Sequence, residues 1–307
     1  MEDATAGDPI SGLKWSHKSL RKIHQKLPRR YRVSLPTISR LLQIRSYSLR
    51  VNRKRCEGKQ SPGRNEQFEY IECCRKRFAK QKRPIISVDS KKKELIGNFK
   101  NAGRAWRRQP RDVNMYDFPS EARGKALPYG IYDVTRNEGY VVVGTSHDTP
   151  TFAVASIRRW WLTCGRKIYP RANHLLIQAD GGGSNGNTCW VWKVPLQAFA
   201  DEFGLTITVT HYPTGASKWN RVEHRLFCLI SGNWAGMPLD TFETALKHIR
   251  TTRSSTGLRC QAWLDGRDYP TRVKATSEEI ARLRIRYHKT FPQWNYTIYP
   301  HRKPSEN

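Results

Sequence analysis

At residues 175–185 the chain reads Leu175-Leu176-Ile177-Gln178-Ala179-Asp180-Gly181-Gly182-Gly183-Ser184-Asn185. The first five residues form a short, mostly apolar run, which is typical of a buried β-strand, and the strand ends at Asp180. The glycines that follow carry no Cβ, so another backbone can approach this loop closely. The segment therefore predicts a carboxylate at the end of a buried strand, next to an accessible loop.

A second short β-rich run occupies residues 85–88 and ends at Asp89. Residues 94–99 indicate another short extended piece, and residues 129–134 and 140–144 indicate two further strands. The residues between those last two strands have the chemistry of a hairpin turn. The chain therefore contains two separate strands that each end in an aspartate.

Helical patterns alternate with the strands that follow. Residues 152–162 and 188–203 are expected to be helices, residues 205–210 a strand, and Ser217 the start of a helix that contains Glu223. The resulting order is strand, hairpin, helix, strand, helix, strand, helix. This order predicts an α/β fold of the ribonuclease H-like kind, a mixed sheet with flanking helices.

Such a sheet places functional groups at strand ends, so Asp89, Asp180 and Glu223 are expected to converge. Three carboxylates brought together repel one another unless a cation joins them, and hard oxygen ligands suit Mg²⁺ or Mn²⁺. Two ions held in this way support in-line displacement at phosphorus without a covalent protein nucleophile. The three residues are therefore the candidate catalytic and metal-binding groups.

Each of these carboxylates also has a purely structural interpretation. An aspartate at a strand end often caps the next turn, and a glutamate in a helix is usually exposed to solvent. Their joint placement, rather than any one residue, favours catalysis. The glycine-rich loop lacks the spacing of the usual nucleotide-binding loops, so it does not favour a nucleotide site.

The charge of the chain points to a polyanion. The sequence has 55 Lys and Arg against 26 Asp and Glu, a formal net charge of +29, which is far more than solubility requires. Nucleic acid is the first partner that this charge indicates, although RNA-binding proteins can be equally basic. Charge alone does not separate a nucleic-acid-binding protein from an enzyme that acts on nucleic acid.

The N-terminal region has a helix-turn-helix-like pattern. Ser16 is expected to cap a first helix and Ser34 a second one. The second helix would expose Arg40 and Gln43, which are residue types that read base edges or bind phosphates. Any basic helical hairpin gives a similar pattern, so DNA recognition here is one of two interpretations.

Further DNA contacts are expected near Glu223. Asn220 lies three residues before it on one helical face, and Lys218 precedes both, so these two side chains are expected to assist at the substrate phosphate. His211 and His224 are acid-base candidates, although a supporting role is favoured for His224 because it points about 100° away from Glu223 around the helix.

Cysteine spacing and the N-terminus exclude other classes of protein. The seven cysteines include no Cys-x-x-Cys pair, so a zinc knuckle is not expected. The N-terminus has no basic-then-apolar signal, and no apolar run approaches the length of about 18 residues that a membrane span needs. A reducing, cytoplasmic location is expected.

Three blocks of the sequence resemble the Rhodopirellula-type, or ISAzo-type, insertion-sequence DDE transposases. They are residues 86–99, 179–186 and 217–227, and the resemblance runs from about Gly7 to Ile298. It implies a ribonuclease H-like fold, DNA strand cleavage and transfer, and catalytic acids at Asp89, Asp180 and Glu223. It also implies a homo-oligomer during transposition.

The resemblance includes one departure. The family carries a further N-terminal DNA-binding portion ahead of the block that starts here at Gly7, so a truncated or alternatively started copy is one expectation. The expected organisation is a helical basic DNA-binding region at 1–84, a ribonuclease H-like catalytic domain at 85–235 and a basic C-terminal extension at 236–307. A nuclease of the same fold and a catalytically inactive DNA-binding remnant remain alternatives.

Overall fold

The computed structural model describes residues 5–7, 14–16, 18–50, 62–216 and 219–301. The chain divides into two compact units, Met1–Glu57 and Gly58–Asn307. The basic, glycine- and proline-rich linker expected at 51–64 lies, up to residue 61, outside the described residues.

The described residues of the first unit include two strands and two α-helices, which are β1 (Thr5–Gly7), β2 (Lys14–Ser16), α1 (Leu20–Lys26) and α2 (Leu35–Ile44). The prediction that Ser16 caps the first helix was wrong, because Ser16 ends β2 and the hydroxyl of Ser19 accepts from the backbone N–H of Lys22 at 3.3 Å. The predicted cap at Ser34 is confirmed, since its hydroxyl accepts from the N–H of Thr37 at 3.4 Å.

The second unit is built on a nine-stranded sheet. Its strands are β3 (Ile85–Ser90), β4 (Glu94–Ile96), β5 (Gly124–Asp133), β6 (Glu138–Gly144), β7 (His174–Ala179), β8 (Thr206–His211), β9 (Arg259–Asp265), β10 (Ile285–Tyr287) and β11 (Asn295–Ile298). Across the sheet they run β10-β11-β8-β7-β3-β5-β6-β9, and β4 adds to β5. The central strands β8, β7 and β3 are mutually parallel, whereas β5 is antiparallel to β3 and β6 to β5. This is the predicted mixed sheet of the ribonuclease H-like fold.

The helices of the second unit cover both faces of the sheet. They are α3 (Arg64–Lys80), α4 (Pro150–Trp160), α5 (Arg166–Ile168), α6 (Trp190–Phe203), α7 (Cys228–Asn233), α8 (Phe242–Thr251) and α9 (Ser277–Ala281). Side chains alternate across a strand, so Ile86 and Val88 join one core with α4 and α6. Ile85 faces the other side, where it packs with Phe78 of α3. The polar positions Ser87 and Asp89 alternate with the apolar ones and therefore share the α3 side of the sheet.

The domain boundaries differ from the predicted ones. Cys74 and Phe78 of α3 pack against Ile85 and Leu176 of the sheet, so α3 belongs to the second unit and the expected boundary at residue 84 cuts through a packed core. The chain beyond residue 235 is not an extension, because β9 pairs with β6 and β11 pairs with β8. Polar residues interrupt the apolar pattern of these two strands, with exposed Arg259 and Gln261 in β9 and buried Asn295 and Thr297 in β11.

The remaining elements follow the predicted order. The hairpin is β5 and β6, and the predicted helix over 152–162 begins at Pro150 and ends at Trp160, after which a wider π turn spans Trp161–Gly165. Ser217, the expected start of the last helix, lies outside the described residues. Within the described part of the chain, no helix is both long and apolar enough to cross a membrane.

Candidate active site

Asp89 lies near the end of the central strand β3 and is only 8% exposed. Its Oδ1 accepts from the N–H of Ser90 at 2.8 Å, and its Oδ2 accepts from the amide of Asn220 at 3.4 Å. Burial and the negative charges of Asp180 and Glu223 together raise the pKa of this carboxyl to about 8, although the two hydrogen bonds oppose the shift. Without a bound cation, the folded protein therefore disfavours the ionised form of Asp89.

Asp180 follows directly after β7, the parallel neighbour of β3. Because Val88 pairs with Ala179, the next residue of each strand is an aspartate, and the two lie at the same end of the sheet. Burial raises the pKa of Asp180, although hydrogen bonds from Asn185 and from the N–H of Gly182 lower it. Its Oδ1 is buried and has no hydrogen-bond partner in the described protein.

Glu223 begins a π turn, Glu223–Phe227, that leads into α7. Turns of this type often occur at functional sites. Burial raises the pKa of Glu223, Lys91 lowers it, and the charge of Asp180 raises it. The three predicted carboxylates therefore lie within electrostatic reach of one another. Among the described residues, however, no three His, Cys, Asp or Glu side chains are arranged closely enough to hold a metal ion.

Ser87 and Asn220 connect the strand of Asp89 to the segment that precedes Glu223. Ser87 Oγ donates to Asn220 Oδ1 at 2.5 Å and accepts from the N–H of Val222 at 2.9 Å. The amide nitrogen of Asn220 donates to the carbonyl of Val88 at 2.9 Å in addition to Asp89. These bonds hold the start of the Glu223 turn against β3.

Gly130 lets the Glu223 turn lie close to the sheet. Gly130 lies in β5, where it pairs with Asp89 of the adjacent strand β3. A Cβ at this position would overlap the ring of Phe227 and would lie 3.0 Å from Val222 Cγ2. Only glycine leaves room for the turn here, so the position of the Glu223 turn beside Asp89 depends on the absence of a side chain at residue 130.

The predicted DNA contacts have different outcomes. Asn220 is fully buried and its amide is used inside the protein, so the prediction that it assists at a DNA phosphate is corrected to a positioning role. Lys218 lies outside the described residues. Arg40 and Gln43 are both exposed, one helical turn apart on α2 of the first unit, and their contact with DNA stays a prediction.

A fourth acid and two hydroxyls lie beside Asp89 and Asp180, and the sequence did not reveal them. The hydroxyl of Ser90 donates to Asp148 Oδ1 at 2.8 Å and lies 3.1 Å from the hydroxyl of Ser184. The charge of Asp148 also raises the pKa of Asp180. In sequence, Asp148 directly precedes Thr149, which caps α4, and no local pattern sets it apart as a site residue.

Two buried side chains support Asp180 from the core. Tyr129 donates to Asn185 Oδ1 at 2.7 Å, and Asn185 in turn bonds to Asp180. His211 Nδ1 lies 2.8 Å from the carbonyl oxygen of Asp180 and must carry the proton, because a carbonyl only accepts. Burial lowers the pKa of His211 to about 4, so it is neutral near pH 7. It supports Asp180 and is not placed as an acid-base group.

The donors at this site fit a divalent cation. The side chains supply hard carboxylate oxygens, and one of them, Asp180 Oδ1, is buried without a partner in the described protein. A cation would offset the repulsion that raises the pKa of Asp89. Closing all three acids around an ion requires a movement of side chains, since no ready-made cluster of three exists among the described residues.

Comparison with known proteins places the chain in a family. Comparison with curated proteins gave no match. Among solved structures, the chain is similar to the Mos1 transposase paired-end complex with left transposon end (TM-score 0.45, 12% identity, 75% of this chain and 65% of that chain). It is also similar to the Mos1 mariner paired-end complex with Mn (TM-score 0.41, 13% identity, the same coverage). The chain thus spans about 65% of the length of these structures.

A family model gives the stronger match. The model described as the Rhodopirellula transposase DDE domain matches residues 1–300, which is nearly the whole chain. This agrees with the family that the blocks at 86–99, 179–186 and 217–227 resemble. The chain therefore belongs to the Rhodopirellula transposase DDE domain family.

Proposed function

We propose that this chain is a DDE transposase that cleaves DNA strands at insertion-sequence ends and joins the freed 3′ ends to target DNA. Asp89, Asp180 and Glu223 are its catalytic acids. The observation that carries the proposal is the placement of Asp89 and Asp180 at adjoining ends of two parallel strands, with the Glu223 turn bonded to one of those strands.

The three acids would hold Mg²⁺ or Mn²⁺ as a pair of ions. When bound, such ions activate a water or sugar hydroxyl and stabilise the leaving oxygen. The protein's own residues do the positioning. Ser87 and Asn220 orient Asp89 and the Glu223 turn, whereas Tyr129 acts through Asn185 on Asp180.

The glycine-rich loop after Asp180 is suited to a DNA backbone that passes the site. Gly183 has a φ of 59°, a left-handed conformation, and an added Cβ would meet nothing within 4 Å. This part of the loop therefore presents backbone, without a side chain, to an open space. A phosphate chain can approach the acids from this side.

Double-stranded DNA, both at the element ends and as target, is the proposed substrate. The formal charge of +29 supplies the general attraction to phosphate. Arg40 and Gln43 on α2, together with Lys218, are the proposed DNA contacts. A homo-oligomer that holds two ends at once is also part of the proposal.

The test is a cleavage and strand-transfer assay with the full chain. Labelled duplexes carrying the termini of the encoding element are incubated with Mg²⁺, with Mn²⁺ and with a chelator, and a plasmid serves as target. Nicked ends and joined products are expected with Mg²⁺ and with Mn²⁺, and neither product is expected with the chelator. Cleavage without joining would identify a nuclease, and binding without cleavage would identify an inactive DNA-binding remnant.

A further inference from the structure

A cavity of about 220 Å³ lies on the α3 side of the sheet, beside the candidate active site. Helix α3 forms one wall, strand β7 contributes the floor, and the segment just before Glu223 forms the other wall. The residues that line it in the described part of the chain are Phe68, Ile71, Glu72, Arg75, Gln178, Tyr212, Trp219 and Arg221.

Gln178, at the floor of the cavity, has a side-chain amide that the described residues leave unpaired. Gln178 is fully buried, and neither its nitrogen nor its oxygen has a hydrogen-bond partner in the described protein. Its cross-strand neighbour Thr210 also has a buried hydroxyl without a partner. By contrast, the buried Gln67 of α3 exchanges two hydrogen bonds with Asn295. Buried amides are normally satisfied, so Gln178 points to an occupant that both donates and accepts.

The walls of the cavity are aromatic. The ring of Phe68 lies 6.1 Å from that of Tyr212 and 6.0 Å from that of Trp219, centroid to centroid. Trp219 is 54% exposed and stands at the mouth, whereas Tyr212 is buried. Flat, sequence-tolerant ligands such as nucleobases stack on surfaces of this kind.

The charge at the cavity suits a phosphate. Arg75 is paired with Glu72 through its Nε at 2.8 Å, so one positive charge is matched inside the cavity. Arg221 adds a further positive charge. The hydrogen bond from Arg75 is the main cause of the lowered pKa of Glu72, and the charge of Arg221 adds to it. Burial raises the pKa of Tyr212 to about 12, against the opposing charge of Arg221. A ligand that combines a base with a phosphate meets complementary groups.

The cavity floor belongs to the same side of the sheet as the acids. Gln178 lies two residues before Asp180, and its cross-strand neighbour Ser87 lies two residues before Asp89. Since alternate residues share a side and each rises by about 3.3 Å, the row of acids lies about 7 Å along the strands from the floor. A nucleotide next to a phosphate at the acids falls within reach of this cavity.

We propose that the cavity receives one unpaired nucleobase of the DNA that is held at the candidate active site. The base stacks against Trp219 and Phe68, its edge exchanges hydrogen bonds with the amide of Gln178, and Arg221 faces its phosphate. This inference rests on the proposed function, because it needs DNA at the acids. Taking a base out of a duplex costs stacking and pairing, so an already unpaired base is bound best.

The experiment compares three duplexes that differ at a single position, measured by fluorescence anisotropy with the full chain and a chelator to prevent cleavage. One duplex is fully paired, one carries an extra unpaired adenine, and one carries an abasic unit in place of that adenine. We expect the unpaired adenine to bind about tenfold or more tightly than the abasic unit, which is the scale of stacking one base on aromatic side chains.

Two variants and a matched control locate the effect. Trp219→Ala and Gln178→Leu should bring the adenine-to-abasic ratio close to one while affinity for the paired duplex is retained. Trp190→Ala removes a tryptophan of similar exposure on α6, 39% exposed, and should keep the preference. Gln178→Leu should not lower the melting temperature, because its amide has no partner in the described protein to lose.

Several outcomes overturn the inference. Equal binding of the adenine and abasic duplexes would show that the cavity does not bind a base, although the protein binds DNA. An unchanged preference in Gln178→Leu and Trp219→Ala would show that another part of the protein causes the preference. If adenosine monophosphate alone abolishes the preference at concentrations near the Kd for DNA, the site binds free nucleotides. Failure to bind even the paired duplex overturns both this inference and the proposed function.

Discussion

The hydroxyl of Ser87 donates to the side-chain oxygen of Asn220 at 2.5 Å, and this bond ties two parts of the chain that are 133 residues apart. Ser87 lies two residues before Asp89, and Asn220 lies three residues before Glu223. The hydroxyl of Ser87 also accepts a hydrogen bond from the N–H of Val222, so this one side chain binds two residues of the segment before Glu223. Ser87 is therefore one of the side chains that hold the segment of Glu223 against the strand of Asp89.

Replacing Ser87 by alanine should separate catalysis from folding. The change leaves Asn220 Oδ1 and the N–H of Val222 without their partner, so we expect a loss of about 1 to 3 kcal/mol in the free energy of unfolding. Cleavage should fall further than stability explains, with a higher metal requirement. Ser156→Ala is the control, because Ser156 is equally buried and its hydroxyl bonds to the carbonyl of Phe152 at 2.8 Å. The same metal requirement in both variants would contradict a positioning role for Ser87.

Asp180→Asn should abolish cleavage while DNA affinity stays unchanged or rises, because it removes one proposed metal ligand and one negative charge near phosphate. Asp133→Asn is a suitable comparison. Asp133 is also a buried aspartate with a raised pKa, which burial causes. It pairs with Ile86, away from the end of β3 that carries Asp89, and it accepts a hydrogen bond from the hydroxyl of Tyr169 at 2.9 Å. Its variant should lose stability and keep cleavage per folded molecule. Wild-type turnover of Asp180→Asn with Mg²⁺ would rule out the proposed chemistry.

Gly130→Ala should displace the Glu223 turn. The added methyl group overlaps the ring of Phe227, so either the turn or strand β5 has to move, and we expect destabilisation of about 1 to 3 kcal/mol together with loss of cleavage. Gly232→Ala provides the control, since a Cβ there meets nothing within 4 Å and Gly232 lies inside α7. That variant should be neutral or slightly stabilised. Thermal melting and cleavage assays on the two proteins decide the point.

Asp89 should make the metal-free protein less stable as pH rises. Its pKa is about 8 in the folded chain and 3.8 ordinarily, so between these values the folded state holds a proton that the unfolded state has released. The free energy of unfolding therefore falls from about pH 4 to about pH 8 and then levels. Asp89→Asn removes this dependence, so its advantage over the wild type should grow across that range, by as much as roughly 5 kcal/mol for a change of about four pKa units. An advantage that is constant with pH would contradict this origin.

The first unit should contribute DNA affinity and end selectivity. If about six phosphates are neutralised, affinity falls by roughly three orders of magnitude between 50 and 200 mM salt. Arg40→Ala should weaken binding, and comparison of element-end with random DNA separates base reading from phosphate binding. Equal loss on both duplexes indicates phosphate contact alone.

Deletions at two boundaries test the limits of the catalytic unit. Removing residues 1–57 should leave the second unit folded with reduced end selectivity. Removing residues 1–84 also removes α3, which exposes Ile85 and Leu176, so that protein should melt much lower or fail to fold. Equal stability of the two shortened proteins would show that α3 is dispensable.

The sequence predicted the parts of this molecule whose pattern is local. Asp89 and Asp180 each end an apolar run, so strand, end point and relative position along the sheet could be read directly. Ser34 likewise caps α2 as expected because capping depends on neighbours within one turn. In the same way, the order of strands and helices between residues 85 and 233 follows from periodicity.

The parts that could not be predicted depend on distant contacts. Asn220 shares a helical face with Glu223, which suggested exposure, yet its partner Ser87 lies far away in sequence and draws it into the core. Asp148 meets Ser90 only because the sheet brings the two loops together. The strands β9 and β11 were missed because polar residues interrupt their apolar pattern, namely exposed Arg259 and Gln261 in β9 and buried Asn295 and Thr297 in β11.

The late strands β9 and β11 have a consequence for the synthesis of the chain. β9 covers the free edge of β6, and β11 covers the free edge of β8, although all three proposed catalytic acids are translated before either strand. A chain that stops after Glu223 would contain every acid and still expose two unpaired strand edges, which are templates for aggregation. A premature stop or frameshift anywhere before Ile298 should therefore yield an aggregating product, which limits working enzyme to completely translated copies.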